Sequence, residues 1–180
     1  LKEGKFKSNL KFYKTSNKTI CEGGFSLNKI KLNTPGLQED INSDSLRFVC
    51  EQNNLIANNL AIKYGSLLSD FNVNIPLNKS VNEIDLKGKI KFKKSKKPDV
   101  DLSGLLPYWV DKRGINFGKL NSKFVLNRTK LDNLNIFKER EISGFVPANG
   151  DFGGSIKNPE LLIKFNVDYP QYKNIKLTEF

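Results

Sequence analysis

Alternation with a period of two dominates this chain. Phe71, Val73, Ile75 and Leu77 are separated by Asn72, Asn74 and Pro76, so an extended backbone here is apolar on one face and polar on the other. Ile84, Leu86, Gly88, Ile90 and Phe92 repeat the pattern against Asp85, Lys87, Lys89 and Lys91. Leu120, Ser122, Phe124 and Leu126 follow it more weakly. Leu161, Ile163, Phe165, Val167 and Tyr169 follow it most clearly, with Lys164, Asn166 and Asp168 facing away. Such runs are half-buried antiparallel strands. Shorter candidates lie at 6–13, 20–32, 46–50, 60–64, 134–136, 142–146, 152–156 and 175–177, and a phase slip between Leu27 and Ile30 predicts a bulge. Pro35-Gly36, Asn53-Asn54, 78–80, Pro147 to Gly150, Asn158-Pro159 and Pro170 supply turn signals between them. The expectation is an all-β fold with at most one or two short helical turns.

Two stretches fit a helix as well. Ile56, Leu60, Tyr64, Leu67 and Phe71 have helical spacing, although Leu60-Ile62-Tyr64 alternation and Gly65 favour a hairpin. Residues 102–110 read as a short capped helical turn that starts at Asp101/Ser103 and is limited by Pro107. The loop from Lys93 to Asp99 joins two halves, 1–99 and 100–180.

Composition narrows the chemistry. The 180 residues contain no His, which removes imidazole acid/base catalysis, Ser-His and Cys-His pairs and imidazole zinc sites. The remaining carboxylates show no paired spacing, and Asp101-Leu-Ser103-Gly104 lacks an elbow motif, so no enzyme, metal or cofactor is expected. Gly150-Asp-Phe-Gly153-Gly154 lacks the Gly-Lys-Ser/Thr end of a phosphate loop and reads as turn and bulge chemistry. Cys21 and Cys50 are able to form one disulfide, but Cys50 shares the apolar phase of Leu46 and Phe48, which suits a buried free thiol. With 13 Phe and one Trp, the apolar residues are large. A chain without Met that opens on Leu1, with a strand pattern still running at its close, is expected to be part of a longer protein.

Net charge is +11, and its most conspicuous feature is the run Lys87, Lys89, Lys91, Lys93, Lys94, Lys96 and Lys97. Such a run either attracts phosphates of lipid headgroups or nucleic acid, or is a solvated strand face that deters edge pairing. Because the aromatics alternate onto the face opposite these lysines, there is no surface on which ring and cation meet, and nucleic acid is not expected as a partner. The apolar phase has two readings as well. It packs on a second sheet, as in a sandwich, or it lines a groove in a single curved sheet.

A family likeness bears on that choice. The series Ile115-Asn-Phe117-Gly-Lys-Leu120-Asn-Ser-Lys-Phe124-Val-Leu126, then Ile142-Ser-Gly144-Phe-Val146, then Gly150-Asp-Phe-Gly153-Gly154-Ser-Ile156-Lys-Asn158-Pro159 resembles the TamB and AsmA-like envelope proteins, in their cyanobacterial and chloroplast inner-envelope branch. The likeness continues through the strand from Leu161 to Val167 and Asp168-Tyr-Pro170 to Leu177; it covers about residues 100 to 180, and residues 1–99 share only the short-strand pattern of AsmA-type segments. The resemblance implies a long, twisted antiparallel sheet folded into an open apolar trough (a β-taco). It also implies a parent anchored in an inner membrane, with this segment in the periplasm or intermembrane space, serving outer-membrane biogenesis. On that reading, phospholipid acyl chains occupy a trough lined by Phe71, Val73, Ile75, Ile84, Leu86, Ile90, Phe92, Phe117, Phe124, Leu126, Phe152, Ile163, Phe165 and Val167. The alternative is a scaffold for outer-membrane assembly or translocon proteins and their cargo, working by strand addition, with a closed sandwich module as a third reading.

Overall fold

A computed structural model describes residues 3–14, 19–33, 38–77, 82–92, 95–131, 140–155, 158–173 and 175–176. Apart from one residue of 3-10 turn at Leu131, the regular structure among them is strand. The elements are β1 (Glu3–Ser8), β2 (Lys11–Lys14), β3 (Thr19–Leu32), β4 (Ile41–Glu51), β5 (Asn54–Tyr64), β6 (Leu67–Pro76) and β7 (Asn82–Phe92). They continue with β8 (Val100–Asp111), β9 (Gly114–Phe117), β10 (Leu120–Lys130), β11 (Ile142–Gly154), β12 (Pro159–Phe165), β13 (Asp168–Tyr172) and β14 (Ile175–Lys176). All belong to one 14-stranded sheet ordered β1-β3-β4-β5-β6-β7-β8-β10-β11-β13-β14, with β2 on β3, β9 on β8 and β12 on β11. Each pairing is antiparallel.

Short turns make this meander possible. Gln52 and Asn53 join β4 to β5 with φ of 48° and 64°, the two left-handed residues that a tight hairpin matched to strand twist requires. Asp99 orders the β7–β8 connection. Its carboxylate is buried and accepts from the Phe92 N–H (2.8 Å), the Ser95 hydroxyl (2.7 Å) and the Thr129 hydroxyl (3.2 Å).

Several expectations are corrected. Residues 102–110 form no helical turn: Leu102, Leu106 and Tyr108 face Gly88, Ile84 and Asn82 across the β7–β8 ladder. Pro107 is tolerated inside β8 because its backbone points to the break between β9 and β10, where its carbonyl accepts from Gly118 N–H (2.7 Å) and no donor of its own is needed. Pro147 to Gly150 is continuous strand, so 142–146 and 152–156 merge into β11. The cost of Pro147 appears one strand over: Asn166 N–H donates to the Pro147 carbonyl (3.3 Å), Pro147 has no N–H to return, and β12 and β13 part at Asn166–Val167. Pro170 likewise lies within β13, and Gly150 to Gly154 ends a strand paired on both sides. Cys50 is no free thiol but is disulfide-bonded to Cys21, with Cα atoms 5.8 Å apart. The expected elements at 35–36, 78–80 and 134–136 lie outside the described residues.

The phase slip at Leu27/Ile30 is present and extends across the sheet. Lys29 has φ 54°, and on β4 the apolar phase moves in step, from Phe48 and Leu46 to Ser43 and Ile41. In β5 the slip falls between Ala57 and Leu60, at Asn59 with φ 55°. A crease therefore runs across β3, β4 and β5, and bulges of this kind bend and twist a sheet. Side chains hold it: the Ser45 hydroxyl donates to Asn28 Oδ1 (2.9 Å), and Asn59 N–H donates to Asn72 Oδ1 (3.0 Å).

No second layer covers the sheet among the described residues, where substantial contacts run only between hydrogen-bonded neighbours. The accessible surface is 13507 Å², against about 8,800 Å² for a compact chain of this mass, and among the described residues no large side chain is fully buried. The densest apolar packing is a small cluster of Leu131, Val146 and Ala148 against Leu126, Ile142 and Val167. A closed sandwich is not the observed arrangement; the sheet is open.

Candidate functional site

Cross-strand partners share a face, so the pairing register assigns every side chain to one of two surfaces. One row runs Leu60, Phe71, Gly88, Leu102, Phe124, Gly150, Ile163 across β5 to β12. The next runs Ala57, Val73, Leu86, Gly104, Ser122, Phe152, Leu161, and a third runs Ile62, Ser69, Ile90, Val100, Leu126, Ala148, Phe165. Ile75 opposite Leu55, Ile84 opposite Leu106, Phe92 opposite Leu67 and Phe117 opposite Tyr108 extend the same face. Val167 continues the phase of Phe165 and packs on Val146 and Ala148. The register thus brings thirteen of the fourteen candidate lining residues to one surface, and packing against the cluster places Val167 beside them.

In the first row a glycine follows each phenylalanine for a steric reason. A Cβ on Gly88 would collide with the Phe71 ring, and one on Gly150 would collide with the Leu162 carbonyl and lie 2.8 Å from the Phe124 ring. The glycines let both rings lie across the neighbouring strand, so aromatic carbon covers backbone that would otherwise face outward. Three serines on this face turn their hydroxyls to the backbone. Ser69 donates to the Ile62 carbonyl (2.9 Å), Ser43 to the Ala61 carbonyl (2.6 Å), and Ser122, only 2% exposed, to the Phe152 carbonyl. The Tyr108 hydroxyl reaches over β7 to the Pro76 carbonyl, and burial raises its pKa above the usual phenol value. What this surface presents to a visitor is therefore chiefly carbon.

Shelter differs between the faces. Along β6, Leu67, Phe71 and Val73 are half-buried while Leu68, Asp70 and Asn72 between them are exposed, with no second layer to account for the difference. The apolar face is the sheltered, inner one. Towards β12 the cover thins: Leu161, Ile163 and Phe165 are 61%, 46% and 64% exposed.

Lys87, Lys89 and Lys91 lie on the opposite face, interleaved with carboxylates. Lys89 stands between Asp70 on β6 and Asp101 on β8, and Lys87 pairs with Asp85 at 3.5 Å. The local field is thus weaker than the lysine run alone implies. Lys96 and Lys97 stand exposed at the β7–β8 rim, with Lys112, Arg113 and Lys119 exposed at the other rim; Lys93 and Lys94 lie outside the described residues. The outer face also holds a group that sequence reasoning missed. Arg128, in the β10 slip between Leu126 and Thr129, stacks on Phe145 (4.6 Å) and pairs with Asp168 (3.2 Å).

Among the described residues no cluster of His, Cys, Asp and Glu is disposed to hold a metal ion, and no helix is long and apolar enough to cross a membrane. Comparison with protein-family models, with curated proteins and with solved structures gives no match.

Proposed function

We propose that this chain is a non-enzymatic segment of a TamB/AsmA-like envelope protein whose apolar face carries phospholipid acyl chains between membranes. The observation that carries the reading is the uncovered, largely apolar inner face from Leu60 to Phe165. Soluble proteins rarely leave so large an apolar surface open without a ligand or partner to fill it. From β3 to β12 the sheet spans about 38 Å at ~4.8 Å per strand, longer than the ~15 Å of one leaflet's hydrocarbon, so a chain fits wholly within it. Each methylene buried there gains about 0.8 kcal/mol, and the contacts are non-directional, which lets the chain slide from strand to strand. Headgroups would stay at the rims, near Lys96 and Lys97 or Lys112, Arg113 and Lys119. The Cys21–Cys50 disulfide supports an oxidising compartment such as the periplasm.

A photo-crosslinking residue at position 124, with position 125 on the outer face as control, tests this in membrane extract. Lipid adducts at 124 and not at 125 are expected; no adduct at 124, or equal adducts at both, sinks the reading. Peptide adducts at 124 would instead support the second reading, a scaffold for unfolded envelope polypeptides, which the open edges of the sheet favour.

A further inference from the structure

We propose that the outer face at β1, β3 and β4 holds a phosphate group, in a cavity where Lys7 and Arg47 flank the Ser26 hydroxyl. The register builds this place from three strands. Phe25 and Phe48 stack at 4.7 Å in the phase of Cys50, which faces Leu55 and so belongs to the inner surface. Ser26 and Arg47, each next to one of these rings in sequence, therefore point outward and face each other, and Lys7 on β1 stands on the other side of Ser26. Asn28 and Ser45 form the next outward pair. The cavity over these residues measures about 620 Å³, and none of its lining residues is acidic. Gly24, which also lines it, brings no side chain to fill it, and a Cβ there would collide with the Phe48 carbonyl.

The side chains form a directed set of donors. The Ser45 hydroxyl donates to Asn28 Oδ1 (2.9 Å), and Asn28 Nδ2 donates to the Ser26 hydroxyl oxygen (3.2 Å). Ser26 accepts in this series and has no acceptor of its own among the described residues, so its proton is left for a ligand in the cavity, and each link polarises the next. Lys7 and Arg47 are exposed, and neither has an ion-pair partner among the described residues. Two strand spacings, about 10 Å, separate their backbones, and both side chains are long enough to close on one tetrahedral anion between them. The guanidinium offers paired N–H groups to two oxygens, the ammonium a point charge, and the hydroxyl a donor from below.

This pair differs from the lysine run on the same face. Lys87 pairs with Asp85 and Lys89 stands between Asp70 and Asp101, whereas Lys7 and Arg47 have a hydroxyl between them. The acidic residues close in sequence, Glu22, Asp44 and Glu51, lie outside the lining. A phosphate ester supplies the missing negative charge and two or three terminal oxygens, either as a soluble compound or as a lipid headgroup. The site lies opposite the acyl-chain surface and does not rest on that surface carrying lipid. Because its charges are exposed and screened by salt, a dissociation constant of about 1 mM is expected.

NMR titration of the whole isotope-labelled chain with glycerol phosphate, at constant ionic strength, tests the site. Saturable shifts of the Ser26, Asn28 and Arg47 amides are expected. Arg47→Gln and Ser26→Ala should each weaken binding by about fivefold or more. Lys123→Gln, which removes an exposed charge elsewhere on the outer face, should leave it unchanged. Flotation with phosphatidylglycerol vesicles, against phosphatidylcholine vesicles, identifies the source. Retention by phosphatidylglycerol that is lost in Arg47→Gln assigns a lipid headgroup; glycerol phosphate binding without such retention assigns a soluble ester. Neither binding nor Arg47-dependent retention, equal weakening by Lys123→Gln and Arg47→Gln, or full binding by Ser26→Ala would overturn the proposal. If Ser26→Ala misfolds, the comparison of Arg47→Gln with Lys123→Gln decides.

Discussion

Gly88 and Gly150 show how single residues shape the inner face. Each is occupied from above by an aromatic ring of the next strand, so a side chain there must displace the ring. At Gly150 the Leu162 carbonyl blocks the space as well, and backbone has to move. Gly150→Val should therefore destabilise the fold by about 1–3 kcal/mol in urea titration, with the loss concentrated at β11–β12. Tyr108 makes a different kind of contribution. Replacing it with Phe removes the donor to the Pro76 carbonyl and should cost about 1 kcal/mol. Its pH dependence has a definite sign. The folded state holds the phenol proton beyond the ordinary phenol pKa, while the unfolded state releases it from about pH 10. The unfolded state then binds fewer protons, so stability falls as pH rises above ~10. That fall should be shallower in Tyr108→Phe, which denaturation midpoints of the two proteins between pH 9 and 11.5 would reveal.

Among the elements, β3 and β4 are the pair with a covalent tie. Reducing Cys21–Cys50 should lower stability by about 2–4 kcal/mol, and a melt with and without reductant, against Cys21→Ser/Cys50→Ser, measures it. How far the elements were legible in the sequence depended on what each stretch had to satisfy. Runs such as Leu161, Ile163, Phe165, Val167 announce a strand and its inner phase, and the Leu27/Ile30 slip announces the bulge, because side-chain alternation is a local property. Residues 102–110 misled because Leu105-Leu106 sets apolar side chains on both faces, and Asp101, Ser103 and Pro107 imitate a helix start. Only the register with β7 resolves it. Pro147 and Pro170 suggest turns in the sequence for a similar reason: a proline inside a strand is tolerated where the neighbouring ladder is broken, and that neighbour is distant in sequence. The inner face itself was legible as a phase, but alternation does not say what covers it. The carbonyls that accept from the Ser69 and Ser122 hydroxyls, and the ring stack on Arg128, depend on pairings that no spacing reveals.

For the whole molecule the governing fact is that strands touch substantially only their hydrogen-bonded neighbours. Stability then approximates a sum of neighbour terms, as in repeat proteins, and no common core couples the two ends. Hydrogen exchange should be graded accordingly: fastest in the short peripheral strands β2 and β14, slowest in the long, doubly flanked β5 to β8, with a distinct break at the crease near Asn59. Uniform protection, or a single sharp two-state melt with calorimetric and van't Hoff enthalpies equal, would contradict this. The same seriality has a mechanical consequence. A load drawn between β1 and β14 passes through each interstrand seam in turn, so the molecule should unzip at one seam while the rest stay closed. The seam between β3 and β4, bridged by Cys21–Cys50, is the one that such a force cannot open by breaking hydrogen bonds alone.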